Sequence, residues 1–126
     1  MKAYSDSEAI ALIRLRYWQH LLNEMLKAKQ FKVPIHLAFG HEAAAVAMDL
    51  TMQPDDVLCL THRNGAYNLA RSKAFEAELA HYRLESRPDG VGHMASMNLA
   101  MEHTGIAYAS SILGNALAVA SGIALH

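Results

Sequence analysis

Apolar residues recur at helical spacing near the start of the chain. Ile10, Ala11, Leu12, Ile13, Leu15, Tyr17, Trp18, Leu21, Leu22, Met25 and Leu26 sweep well over half of a helical wheel. Arg16, Gln19, His20, Asn23, Glu24 and Lys27 hold the remainder, and only Arg14 interrupts the apolar arc. Ser5-x-x-Glu8 is a capping box, so the pattern predicts a helix from about Ser7 to Lys29. The arc is wider than the stripe of a surface helix in a monomer. It predicts packing on two sides, one within the chain and one across an interface; ordinary deep burial in a single core is the alternative.

Pro34 breaks the helical pattern, and Gly40-His41-Glu42 opens a second helix, Ala43–Met52. Pro54-Asp55-Asp56 signals a turn into Val57-Leu58-Cys59-Leu60, a short buried strand. A third helix is expected from about Ala66 to Arg83. Ser86–Gly92 reads as a loop, and His93–Glu102 as ambiguous, with a helical turn as one reading. Ser111–Leu125 is apolar and rich in small residues, with Gly114, Ala118 and Gly122 four apart. At about 15 residues it falls short of the roughly 20 that cross a bilayer, so it predicts a buried core helix. It runs to His126 without a capping Gly, a basic last turn or a following strand. The expectation is a single, truncated domain over residues 1–126, predominantly α-helical in this chain, with one clear short strand of an incomplete α/β unit.

Hydrophobic residues make up 52% of the chain and charged residues only 18%, which points to surface covered by a partner. A formal net charge of −1 provides no basic field for nucleic acid or an anionic membrane. The single Cys59 lies in an apolar run and has no intrachain disulfide partner, which fits a buried thiol in a reducing compartment. Met1–Tyr4 leads directly into a helix start with no signal peptide, so the expected location is cytoplasmic. His36 and His41 stand five apart, as do His93, Asn98 and His103, off the i, i+4 spacing that aligns two ligands on a helix. No dedicated metal site is expected. There is also no nucleophile–base pair, no paired carboxylates and no phosphate-cradling glycine loop, so no catalytic residue is assigned.

Thr61-His62-Arg63-Asn64 follows the strand directly, where α/β folds place ligand groups, and Arg63 offers a planar fork for phosphate or carboxylate. Four further stretches stand in order around it. They are His36-Leu37-x-x-Gly40-His41-Glu42-Ala43, Pro54-Asp55-Asp56-Val57, Gly90-x-Gly92-His93-Met94-x-Ser96-Met97-Asn98 and Ser111-Ile112-Leu113-Gly114…Ser121-Gly122-Ile123-Ala124. Together with Tyr67-Asn68-Leu69-Ala70-Arg71 they closely resemble the amino-terminal part of the thiamine diphosphate-dependent dehydrogenase alpha subunit, of the pyruvate and acetoin type. The resemblance implies that His62 and Arg63 match the pair holding the cofactor's diphosphate. It implies that Leu113 lies beside the aminopyrimidine, with Ser111 at a neighbouring backbone contact. Gly90–Asn98 would border the mouth of the site, and Tyr67 and Asn68 would match a structural helix start.

The same resemblance implies a Gly-Asp-Gly motif and a later Asn that bind Mg²⁺, and a catalytic Glu on a partner beta subunit. None of these has a counterpart in the sequence. Gly65-Ala66 stand where many relatives carry His and Gly, and Asn98 stands where others carry His. These readings predict a fragment or truncated relative that keeps the scaffold of a 2-oxo acid or acetoin dehydrogenase without catalysis of its own and without cofactor binding by this chain alone. The alternative is a stand-alone homo-oligomeric binding module. Either way the expected partner is a second copy in a homodimer or higher homo-oligomer, with a beta-subunit-like partner also possible.

Overall fold

The structure is a computed structural model and describes residues 4–85 and 104–126. Helix α1 spans Asp6–Lys27 and is closed at its start by the expected capping box. The Glu8 N–H donates to Ser5 Oγ at 3.3 Å, and the Ser5 N–H donates to Glu8 Oε2 at 2.7 Å. Asp6 and Glu8 in the first turn and Lys27 in the last complement the helix dipole. The wide apolar arc divides in two. Leu15 and Leu22 are buried with Ala11, Trp18 and Met25 packed beside them, while Ile10, Ile13 and Tyr17 face outward and are exposed.

Helix α2, Glu42–Thr51, and helix α3, Gly65–Ser72, pack on the inner face of α1. Val46, Ala45, Ala66 and Leu69 meet Leu15 and Leu22 there, and Leu79 and Tyr82 join from α4, Phe75–Arg83. The single helix expected from Ala66 to Arg83 is therefore two. Lys73 caps α3 in the left-handed region at φ 54°, and Ala74 is extended before α4 begins. No Gly or Pro marks this break. Tertiary packing holds it instead: Phe75 stacks on Trp18 at 5.8 Å, and the Lys73 ammonium lies 3.4 Å from Asp49.

Strand β1, Leu58–Thr61, pairs in parallel with β2, Ile106–Ser110, which the sequence pattern left unassigned. The paired partners run from Leu58 with Ile106 to Thr61 with Ser110, with an irregularity between Leu58 and Cys59. Leu60, Ile106 and Ala109 form a second, smaller core. Cys59 is free and half-buried. The two strands and the helices around them are consistent with a partial α/β unit that is mostly helical.

Helix α5, Asn115–Ala124, follows β2 and packs on both strands. The expected helix over Ser111–Leu125 is shorter than its apolar run. Gly114 adopts a left-handed φ of 80° and serves as the N-cap, so Ser111–Gly114 is a turn and not a helical face. The expected burial is not met within this chain either, because α5 buries none of its residues and Leu117 is 77% exposed. The expected loop Ser86–Gly92 and the segment His93–Glu102 lie outside the described residues. Among the described residues, no helix is long and apolar enough to cross a membrane.

Candidate functional site

Because β1 and β2 run parallel with Thr61 opposite Ser110, the segments that leave their carboxyl ends emerge side by side. One is His62-Arg63-Asn64, which leads into α3; the other is Ser111-Ile112-Leu113-Gly114, which leads into α5. The four residues singled out from the sequence thus share one edge of the sheet. This is the crevice position that open α/β sheets use for ligands.

The groups there are chemically distinct. Arg63 is exposed, and among the described residues its Nη1 makes a long 3.4 Å donation to the Leu37 carbonyl. His62 is half-buried and meets the ring of His36 edge-on, with centroids 5.1 Å apart and planes at 88°. Its Nδ1 is buried with no hydrogen-bond partner among the described residues. Ser111 and Leu113 are exposed, Leu113 at 79%. The turn that carries them is fixed by the Ile112 N–H donating to Ser110 Oγ at 3.1 Å, and by Asn115 Nδ2 donating to the Tyr108 hydroxyl at 2.6 Å.

Sequence reasoning singles out His36-Leu37 as a motif but does not place it as a wall against His62 and Arg63, which the fold does. Gly65 shows why that segment approaches so closely: a Cβ there would lie 3.3 Å from the His36 carbonyl oxygen. Any side chain at this position would need the 36–37 backbone to give way. His41 lies beside Tyr67, with the Tyr67 hydroxyl 3.4 Å from His41 Nδ1 and the rings at 86°.

A buried polar network holds this wall in place. Glu42 is 5% exposed, and its Oε1 accepts from Arg16 Nε at 2.6 Å and from Gln19 Nε2 at 2.7 Å. Its Oε2 accepts from Arg16 Nη2 at 2.8 Å and from the Gly40 N–H at 2.9 Å. Gln19, fully buried, accepts from the Ala38 N–H at 2.8 Å through its other amide atom. Burial alone would push the Glu42 carboxyl up, but the Arg16 guanidinium and the Glu42 and Gly40 backbone N–H groups outweigh it and hold the group below its usual value. A second pair, Arg71 Nη1 to Asp49 at 2.8 Å, ties α3 to α2, while Arg71 Nε donates to the Thr104 carbonyl at 2.7 Å just before β2.

Among the described residues, no group of three His, Cys, Asp or Glu side chains is placed to hold a metal ion. His93, Asn98 and His103 lie outside the described residues.

His62-Arg63 at one strand end and an exposed apolar turn at the next occupy the position where parallel α/β folds place ligand groups. The family profile for the dehydrogenase E1 component matches residues 13–126, and the chain belongs to that family. That family comprises the thiamine diphosphate-dependent dehydrogenases of 2-oxo acids, to whose alpha-subunit type the chain is related. Comparison with curated proteins and with solved structures returns no match.

Proposed function

We propose that this chain forms one wall of a thiamine diphosphate site within a larger E1-type assembly, and that it is not catalytic alone. The carrying observation is the juxtaposition of His62-Arg63 with Ser111–Leu113 at adjoining carboxyl ends of paired parallel strands. The residues present fit part of the cofactor. The weakly engaged guanidinium of Arg63 and the orphaned Nδ1 of His62 suit a diphosphate, and the exposed Leu113 with Ser111 beside it suits the face of a flat heterocycle. Thiamine diphosphate, when bound, supplies an electron sink for 2-oxo acid chemistry. The contribution of this chain is to bind and orient, with Arg63 as the fixed positive charge and His62 as a hydrogen-bonding neighbour.

Arg63 alone contributes about 1–3 kcal/mol, whereas micromolar affinity needs about 8. Calorimetry on residues 1–126 with Mg²⁺ present is therefore expected to show no micromolar binding and no 2-oxo acid turnover. Micromolar, Mg²⁺-dependent binding would overturn the claim that this chain is incompetent alone. In an NMR titration at millimolar pyrophosphate, Arg63→Ala should weaken binding about tenfold. Equal perturbation of parent and variant would remove Arg63 from the site.

The assembly part of the proposal rests on apolar surface. Ile10, Ile13 and Tyr17 line one side of α1, beside a shallow groove also bordered by His20, Gly40 and Ala43. Leu113, Leu117 and Leu125 lie exposed at the opposite end of the chain order. We read these as faces covered by a second copy or by a beta-type subunit, in a reducing cytoplasmic setting that suits the free Cys59. Light scattering at micromolar concentration should give a dimer or larger, and a clean monomer mass would sink the homo-oligomer.

Ala118 provides a sharper test. It is exposed on α5, so within one chain Ala118→Leu should cost no more than about 0.5 kcal/mol. Against a packed neighbour the same change costs about 1–3 kcal/mol. The expected outcome is weaker assembly and a lower Tm. The variant behaving like the parent would leave α5 as free surface. A stand-alone interaction module would share these assembly results, and the pyrophosphate titration separates it from the cofactor-site reading.

A further inference from the structure

Glu78 points into the protein from α4 with no solvent exposure, and among the described residues neither of its carboxyl oxygens makes a well-formed hydrogen bond. Asn68 Oδ1, on the facing helix α3, is buried and orphaned in the same way. Asn68 instead donates through Nδ2 to the Tyr82 hydroxyl over a long 3.4 Å, and Tyr82 follows Glu78 by one turn of α4. A buried carboxylate with only hydroxyls facing it and no well-formed hydrogen bond is strongly disfavoured, while the neutral acid is tolerated.

The nearby cations are engaged elsewhere. Arg71 of α3 and Lys73 at its C-cap pair with Asp49, and Arg83 of α4 lies 3.8 Å from Glu85. From α1 the neighbour is Trp18, stacked on Phe75, with Arg14 over the Trp18 ring. The segment before α2 contributes Phe31, edge-on to Tyr82 at 5.9 Å. Among the described residues the groups that face the carboxyl are Ser72 of α3 and Tyr82 of α4, and the nearest imidazole in sequence is His81, on the same helix. Burial pushes Glu78 up to about 7, and the Ser72 and Tyr82 hydroxyls offset it only in part. Helix α4 is joined to α3 through the left-handed Lys73, a natural pivot.

We propose that Glu78 is a proton-operated latch: when neutral it seats α4 against α3 and α1, and when ionised it releases α4 about the bend at Lys73. The linkage has a definite sign. An acid whose folded value lies above its usual 4.5 contributes its stability in full below that value and loses it as pH rises towards about 7. Across that window the folded-to-unfolded ratio of the parent falls on the order of a hundredfold. The latch is independent of the cofactor reading.

Trp18 is the sole tryptophan, so its emission reports on the Phe75 stack that anchors α4. The experiment follows emission and far-ultraviolet circular dichroism of the whole chain between about pH 5.5 and 8.5. The parent should show a red shift that develops as pH rises towards about 7 and levels off above it, with most helical signal retained. Glu78→Gln should abolish the shift, while His81→Gln should keep it. An unchanging parent, an identical shift in Glu78→Gln, or loss of the shift in His81→Gln would overturn the latch. So would collapse of all helical signal at the same midpoint. Should Glu78→Gln fail to fold, Tyr82→Phe decides: removing the hydroxyl that eases ionisation should move the midpoint upward, and an unmoved midpoint overturns the proposal.

Discussion

Glu42→Ala should destabilise the chain by about 3 kcal/mol, measured by urea unfolding with an unchanged m-value. The size follows from what the carboxylate leaves behind. Arg16 is about half exposed, at 49%, and rehydrates readily once unpaired, which keeps the loss at the low end for a broken buried pair. Gln19 has no such escape, because it is fully buried and its Nε2 would lose its acceptor. The Gly40 N–H would lose its acceptor as well. Glu42→Gln should cost less, since it keeps the shape but turns part of the acceptor into a donor facing Arg16. A loss below about 0.5 kcal/mol for the alanine variant would show that the network does not hold the wall.

The pH dependence of that network runs opposite to the latch. Glu42 is held below its usual 4.5, so its contribution is present above that value and is lost as pH falls below it. Glu78 loses its contribution as pH rises from the same value towards about 7. The two carboxyls therefore bracket a stability maximum in mildly acidic solution. Glu78→Gln should remove the neutral-side decline and leave the acid-side decline intact.

The two carboxyls also show how differently the sequence exposes structure. Helix α1 is legible because the Ser5-x-x-Glu8 box and the apolar periodicity agree. Its double-sided arc is legible too, since the outer residues Ile10, Ile13 and Tyr17 remain exposed. The α3–α4 break is not legible, because Lys73 adopts a left-handed conformation without Gly or Asn to announce it. Strand β2 is weakly marked, as Ala107 and Ala109 dilute the alternation of Ile106 and Tyr108 and its identity depends on pairing with β1. The segments carrying His62, Arg63, Ser111 and Leu113 stand out as motifs in register, and the parallel pairing brings those segments to adjoining strand ends. The placement of His36 and Leu37 against His62 and Arg63 does not follow, because the Arg63–Leu37 contact spans 26 residues and exists only in the folded chain.

Gly105→Val should cost about 3 kcal/mol or more, combining left-handed strain in a β-branched residue with overpacking. Gly105 has φ 74°, and a Cβ built there would lie 3.1 Å from the Asp56 carbonyl oxygen and 3.5 Å from Arg71 Nη2. Neither neighbour yields easily. The first is backbone at the turn into β1, and the Arg71 guanidinium is fixed by Asp49 and by the Thr104 carbonyl. The Gly105 carbonyl also accepts from the Leu58 N–H at 2.7 Å, so a shift here opens the start of the strand pairing. That pairing sets Ser110 opposite Thr61, and with it the meeting of Ser111–Leu113 with His62-Arg63. Loss of pyrophosphate perturbation should therefore accompany the fall in Tm. Gly105→Asn, which tolerates φ > 0 but still carries a Cβ, should fall between parent and valine. If valine and asparagine cost the same, the crowding at Asp56 decides the outcome and backbone strain adds little.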